Sequence, residues 1–133
     1  MIPKFRAYLK KHEKVVDVRE IDYRCNCIIW MDEKYTEIEG FEDIELLQST
    51  GLKDKNGVEI FEGDVLEIPV AIDTETLNGE VVFEDGIFGI KDVLDGWGFD
   101  IGLVPLIEII LAKKVIIVGN IYEHPHLLEG DNE

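Results

Sequence analysis

Residues 53–66 read Lys53-Asp54-Lys55-Asn56-Gly57-Val58-Glu59-Ile60-Phe61-Glu62-Gly63-Asp64-Val65-Leu66, and this stretch decides the fold class. Asn-Gly is the preferred pair for a two-residue type I′ hairpin turn, because both central positions need positive φ. Residues 58–61 then read as a strand, Glu62-Gly63-Asp64 as a tight turn, and residues 65–71 as a second strand. Downstream, Asn78-Gly79 and Asp85-Gly86 repeat the turn signal around residues 80–84 (EVVFE) and 87–91 (IFGIK). Turn pairs at this spacing between β-forming runs predict a β-meander.

Upstream, residues 3–9 alternate, with Phe5, Ala7 and Leu9 on one face and Lys4, Arg6 and Tyr8 on the other. Alternation is the mark of a half-buried strand. Residues 15–23 alternate imperfectly, and residues 27–31 (CIIWM) form a short apolar run rich in β-formers, with Trp30 as core. Residues 41–48 (FEDIELLQ) fit a short strand or one helical turn. Toward the C-terminus, 103–111 and 115–121 are nearly unbroken apolar runs, as expected of strands covered on both faces. The first also fits a helix after Pro105, since Leu106, Ile109 and Ile110 share a helical stripe. Pro125 suits the first turn of a short C-terminal helix through Leu127-Leu128.

These elements predict a mainly β chain with minor α+β content. An N-terminal β-rich lobe spans 1–50, an SH3-like small-barrel lobe spans 51–130 with a short C-terminal helical turn, and 131–133 form a frayed tail. The likeness to small barrels is one of fold and carries no function.

The chain has 133 residues, with 29 acidic and 13 basic groups and a formal net charge of -16. Residues 1–34 carry eight basic and six acidic groups, whereas 35–133 carry five and 23. Nucleic-acid affinity comes largely from Lys and Arg displacing counterions, so this distribution weighs against a nucleic-acid partner. No apolar run approaches the ~20 residues that cross a bilayer, and no apolar stretch follows the basic N-terminal residues as in a secretory signal. Cys25 and Cys27 are too few and too close for a disulfide framework, so a reducing cytoplasm is the expected compartment.

Three ordered segments carry a family resemblance: KFRAY at the N-terminus, STGLKDKNGVEIFEGDVL in the middle and VGNIYEHPHLLEG at the end. In these the chain resembles the YopX family, small proteins of bacteriophages and of prophages in Gram-positive bacteria. It departs at Tyr8, where tryptophan is usual, and at His124 and His126, where asparagine and glutamate are usual. The resemblance implies a phage-encoded, intracellular, oligomeric β-rich accessory protein. It brings no activity, cofactor or catalytic residue with it.

Candidate sites were weighed against plain structural roles. An EF-hand register with Gly57 at position 6 puts Leu52 at position 1 and Gly63 at position 12, so both anchors of a calcium loop fail. A phosphate-cradling loop needs a helix behind it, where a strand is expected here. Asp54, Asn56, Gly57, Gly63 and Asp64, with Gly119, Asn120, Tyr122 and Pro125, are therefore assigned to structure. Cys25-Asn26-Cys27 has a spacing too short for a zinc knuckle, and two thiols on one strand face bury as small apolar groups. The lone serine, Ser49, has no nucleophile-elbow context. Trp97 and Phe99, set among glycines, fit either a core plug or a candidate binding loop.

The expectation is a non-catalytic protein, without metal or cofactor, that binds a protein partner and self-associates through part of the apolar stretch 103–121. Two competing expectations are an acidic decoy that mimics DNA before a host DNA-binding protein, and a metal-dependent hydrolase.

Overall fold

The computed structural model describes residues 4–69, 75–91 and 103–128. The chain divides into two compact units, Met1–Ser49 and Thr50–Glu133. Both are built mainly of antiparallel strands, in agreement with the mainly β expectation.

In the first unit, β1 (Phe5–Leu9) pairs with β2 (Lys14–Asp17) from Leu9↔Lys14 to Arg6↔Asp17. The hairpin closes because Leu9 O accepts from both His12 N and Glu13 N, with Glu13 at φ 55. The irregular alternation after Val15 has a physical cause. Val18 N donates to Phe5 O in one sheet, and Arg19 N donates to Ile29 O in the next. The chain thus changes sheets there and enters β3 (Glu20–Asp22), β4 (Cys27–Met31) and β5 (Thr36–Gly40), a three-stranded sheet in that order. Strand alternation then sets the core: Ala7 and Leu9 from β1 pack with Ile28 and Trp30 from β4 and with Ile44.

Residues 41–48 satisfy both earlier readings. A 3₁₀ turn, Phe41–Asp43, leads into β6 (Ile44–Lys53), which pairs with β1 from Leu9↔Ile44 to Phe5↔Gln48.

In the second unit, β7 (Glu59–Phe61) pairs with β6. It is followed by β8 (Asp64–Pro69), β9 (Thr76–Glu84), β10 (Ile87–Lys91), β11 (Leu103–Pro105), α1 (Leu106–Ala112) and β12 (Ile116–Asn120). The five-stranded antiparallel sheet runs β11-β10-β9-β8-β12. Leu66, Ile68, Val81 and Ile90 from this sheet pack with Ile60 of β7, Leu106 of α1 and Val115. A bulge between Ile117 and Gly119 breaks the β12–β8 register. Such an extra residue bends a strand and sharpens its twist.

Three expectations need correction. Asn78-Gly79 is not a turn: it lies inside β9, with Asn78 opposite Glu67 and Gly79 opposite Leu66. Ladder pairing on β8 overrides the local turn preference there. Asn56-Gly57 is a turn but not type I′, because Gly57 has φ 82 while Asn56 is absent from the positive-φ residues. The stretch 103–111 is not one strand; it splits at Pro105 into β11 and α1, the helical alternative. Asp85-Gly86 does adopt the expected two-residue turn, both residues at positive φ and Glu84 paired with Ile87. Among the described residues no helix is long and apolar enough to cross a membrane.

Candidate functional site

The loop after β6 is organised by one carboxylate. Asp54 is 8% exposed, and its Oδ1 accepts from Asn56 N and Val58 N, each at 2.9 Å. Its Oδ2 accepts from Ile117 N at 3.1 Å. Asp54 O accepts from Gly57 N, and Asp54 N donates to Val58 O. This is a three-residue hairpin loop closed by a glycine in the left-handed region. Lys55 N donates to Val115 O, so the loop is stitched to the chain entering β12.

A second buried carboxylate holds the next turn: Asp64 Oδ2 accepts from Phe61 N at 2.8 Å. Between them Gly63, at φ 90, donates its N–H to Val81 O and accepts from Ile121 N.

The C-terminal motif turns on Asn120. Its Oδ1 accepts from Tyr122 N at 3.0 Å and Glu123 N at 2.8 Å, and its Nδ2 donates to Glu123 Oε1. Asn120 N donates to His124 Nδ1 at 3.3 Å. A 3₁₀ helix, Pro125–Leu128, follows as the proline suggested. Asn78 Nδ2 donates to Leu127 O at 3.0 Å and ties this helix to β9. A Cβ on Gly119 would sit 2.7 Å from both His124 Nδ1 and Leu127 Cδ1, so only glycine fits that close approach.

Beside the Asp54 loop lies a cavity of about 320 Å³, lined by Lys53, Asp54, Lys55, Ile110, Lys113, Lys114 and Val115. Four exposed lysines line it: two from the 53–55 segment and two that follow α1. Sequence reading missed this grouping. The available signal was the scarcity of cations, since Lys53, Lys55, Lys91, Lys113 and Lys114 are the only basic residues after residue 34. Next to the cavity, α1 buries only Leu106, while Ile107 is 45% and Leu111 80% exposed. These two residues, four apart, share one helix face.

In the first unit a cavity of about 530 Å³ is lined by Cys25, Asn26, Gly40, Phe41 and Glu42. The two cysteines do not share a strand face as expected. Cys27 opens β4 and is buried, Cys25 is exposed in the preceding turn, and their sulfurs are paired. Asn26, at φ 54, makes the reversal between them. Trp30 is core at 4% exposed, with Lys14 Nζ 4.8 Å from its ring centroid. His12 Nε2 lies 3.6 Å from Glu39 Oε1. Among the described residues no group of three or more His, Cys, Asp or Glu side chains is placed to hold a metal ion. Trp97 and Phe99 lie outside the described residues.

The family model described as YopX protein matches residues 4–129. The chain belongs to the YopX family. Among solved structures, protein EF1440 from Enterococcus faecalis is 31% identical, with a TM-score of 0.62 over 96% of this chain and 99% of that one. Protein yopX from Bacillus subtilis is 16% identical, also with a TM-score of 0.62, over 96% of each chain. No curated protein matches. The segments that carry the YopX resemblance fall at β1, at the Asp54 loop with β7 and β8, and at β12 with the 3₁₀ helix. In the latter two, the motif residues Asp54, Gly63, Asp64, Gly119 and Asn120 all hold backbone in place, which is what a YopX-family fold signature would require of them.

Proposed function

We propose that this YopX-family chain is a phage- or prophage-encoded accessory protein of the bacterial cytoplasm, non-catalytic, acting by protein–protein contact and self-associating through α1. The observation that carries this reading is the outward face of α1. A seven-residue helix, LIEIILA, holds Ile107 and Leu111 in solvent although the same chain builds its second core from Ile, Leu and Val. Exposed apolar side chains grouped on one element mark contact surfaces. A large net negative charge keeps such a surface from promiscuous association.

The test is capture of partners from a bacterial lysate, repeated at low and high salt, with the native chain and with Leu111→Glu. Capture that survives high salt and is lost in the variant supports apolar contact. Salt-sensitive capture of DNA-binding proteins that the variant retains supports the acidic-decoy reading instead. Turnover of any substrate by the purified protein contradicts both.

A further inference from the structure

The second unit carries five basic and 18 acidic residues, a net of -13, yet four of its five lysines line one cavity. Ion pairing does not explain the grouping. Lys91, the fifth lysine, pairs with Glu84 at 3.6 Å. By contrast Lys53, Lys55, Lys113 and Lys114 have no ion pair among the described residues. The C-terminal end of α1 favours nearby cations, which accounts for Lys113 and Lys114 but not for Lys53 and Lys55. The one acidic wall residue, Asp54, already spends both carboxylate oxygens on three backbone N–H groups. Four exposed lysines around one cavity, against the single carboxylate of Asp54, make a positive patch in an otherwise acidic unit, and an anion complements such a patch.

We propose that this cavity binds a compact phosphoryl anion, either inorganic pyrophosphate or the phosphate tail of a nucleotide. At about 320 Å³ it has room for roughly ten waters' worth of ligand, at ~30 Å³ each, enough for two linked phosphoryl groups. Ile110 and Val115 add an apolar wall against which a nucleobase or sugar can rest. Lysine ammonium groups bind phosphate as point charges, without the planar fork that carboxylate pairing with arginine exploits. The site uses side chains from two segments and differs from a glycine-rich phosphate loop. Ile107 and Leu111, the proposed partner contact, are not among its lining residues.

Isothermal titration calorimetry of the full chain with pyrophosphate, then with ADP, tests the proposal. Saturable one-to-one binding that weakens with added salt is expected. Lys55→Gln and Lys113→Gln should each raise Kd about tenfold, while Lys91→Gln, which removes the same charge from the same unit, leaves it within about twofold. Tighter binding of ADP than of pyrophosphate assigns the ligand to nucleotides; the reverse order assigns it to the free anion. Melting curves of each variant establish that the fold is intact. No saturation up to about 5 mM with either probe, an equal loss in Lys91→Gln, or equal binding of a hexaglutamate peptide would overturn the assignment.

Discussion

Asp54 Oδ2 accepts the backbone N–H of Ile117 at 3.1 Å, joining residues 63 apart in sequence. The same carboxylate closes its own loop through Asn56 N and Val58 N. One buried side chain thus fixes the central hairpin and attaches it to the start of β12. Asp54→Ala leaves three N–H groups short of an acceptor and should cost about 2–4 kcal/mol. Asp54→Asn keeps one oxygen for the loop but presents an NH₂ donor near a backbone donor, so it should recover only part of the loss. Urea unfolding of both variants, with the slope held constant, measures the two costs.

Gly86 and Gly89 should fail for different reasons. Gly86 sits at φ 84 with nothing near its would-be Cβ, so Gly86→Ala costs only backbone strain, about 1–2 kcal/mol, and Gly86→Asn less. Gly89 has no such φ, but a Cβ there would lie 2.7 Å from Leu103 Cδ1 and 2.8 Å from Val104 O. Since the backbone oxygen cannot swing away, Gly89→Ala should cost about 1–3 kcal/mol and loosen the β10–β11 pairing. Thermal unfolding ranks the variants, and amide exchange at Gly89 to Lys91 separates local from global effects.

Glu80 gives the fold a pH signature. Burial raises its pKa above the usual carboxylate value; Lys91 opposes the rise, and Glu84 and Glu62 add to it. The folded chain therefore holds this proton more tightly than the unfolded chain. Between the unfolded and folded pKa values the folded state binds more protons, so stability falls as pH rises through that window. Glu80→Gln should remove this component. The variant should gain on the native chain between pH 4 and pH 7, by less than about 1 kcal/mol because the group is half-exposed. Paired urea titrations at the two pH values check the sign.

The sequence was informative where local chemistry and ladder pairing agree. Asp85-Gly86 becomes a two-residue turn because its flanking residues, Glu84 and Ile87, also pair. Asn78-Gly79 carries the same signal, but its opposite partners Glu67 and Leu66 hold it in a strand. Pro125 started a short helix where its fixed φ suited one. By contrast β5 escaped notice, because its Ile38 is 66% exposed and offers no apolar alternation toward a core. The lysine cavity was invisible for another reason. Its walls come from 53–55 and 110–115, which the Asp54–Ile117 and Lys55–Val115 hydrogen bonds and the shared packing of Leu52, Ile110 and Val115 bring together across the sequence.

The central claim is that the exposed side of α1 is a contact surface, and the mass of the protein in solution tests it most directly. Size-exclusion chromatography with light scattering at micromolar concentration should give a whole multiple of 15.2 kDa for the native chain. Leu111→Glu, with unchanged circular dichroism and melting temperature, should elute at the single-chain mass. A native chain that runs at 15.2 kDa across the same concentrations would contradict the account.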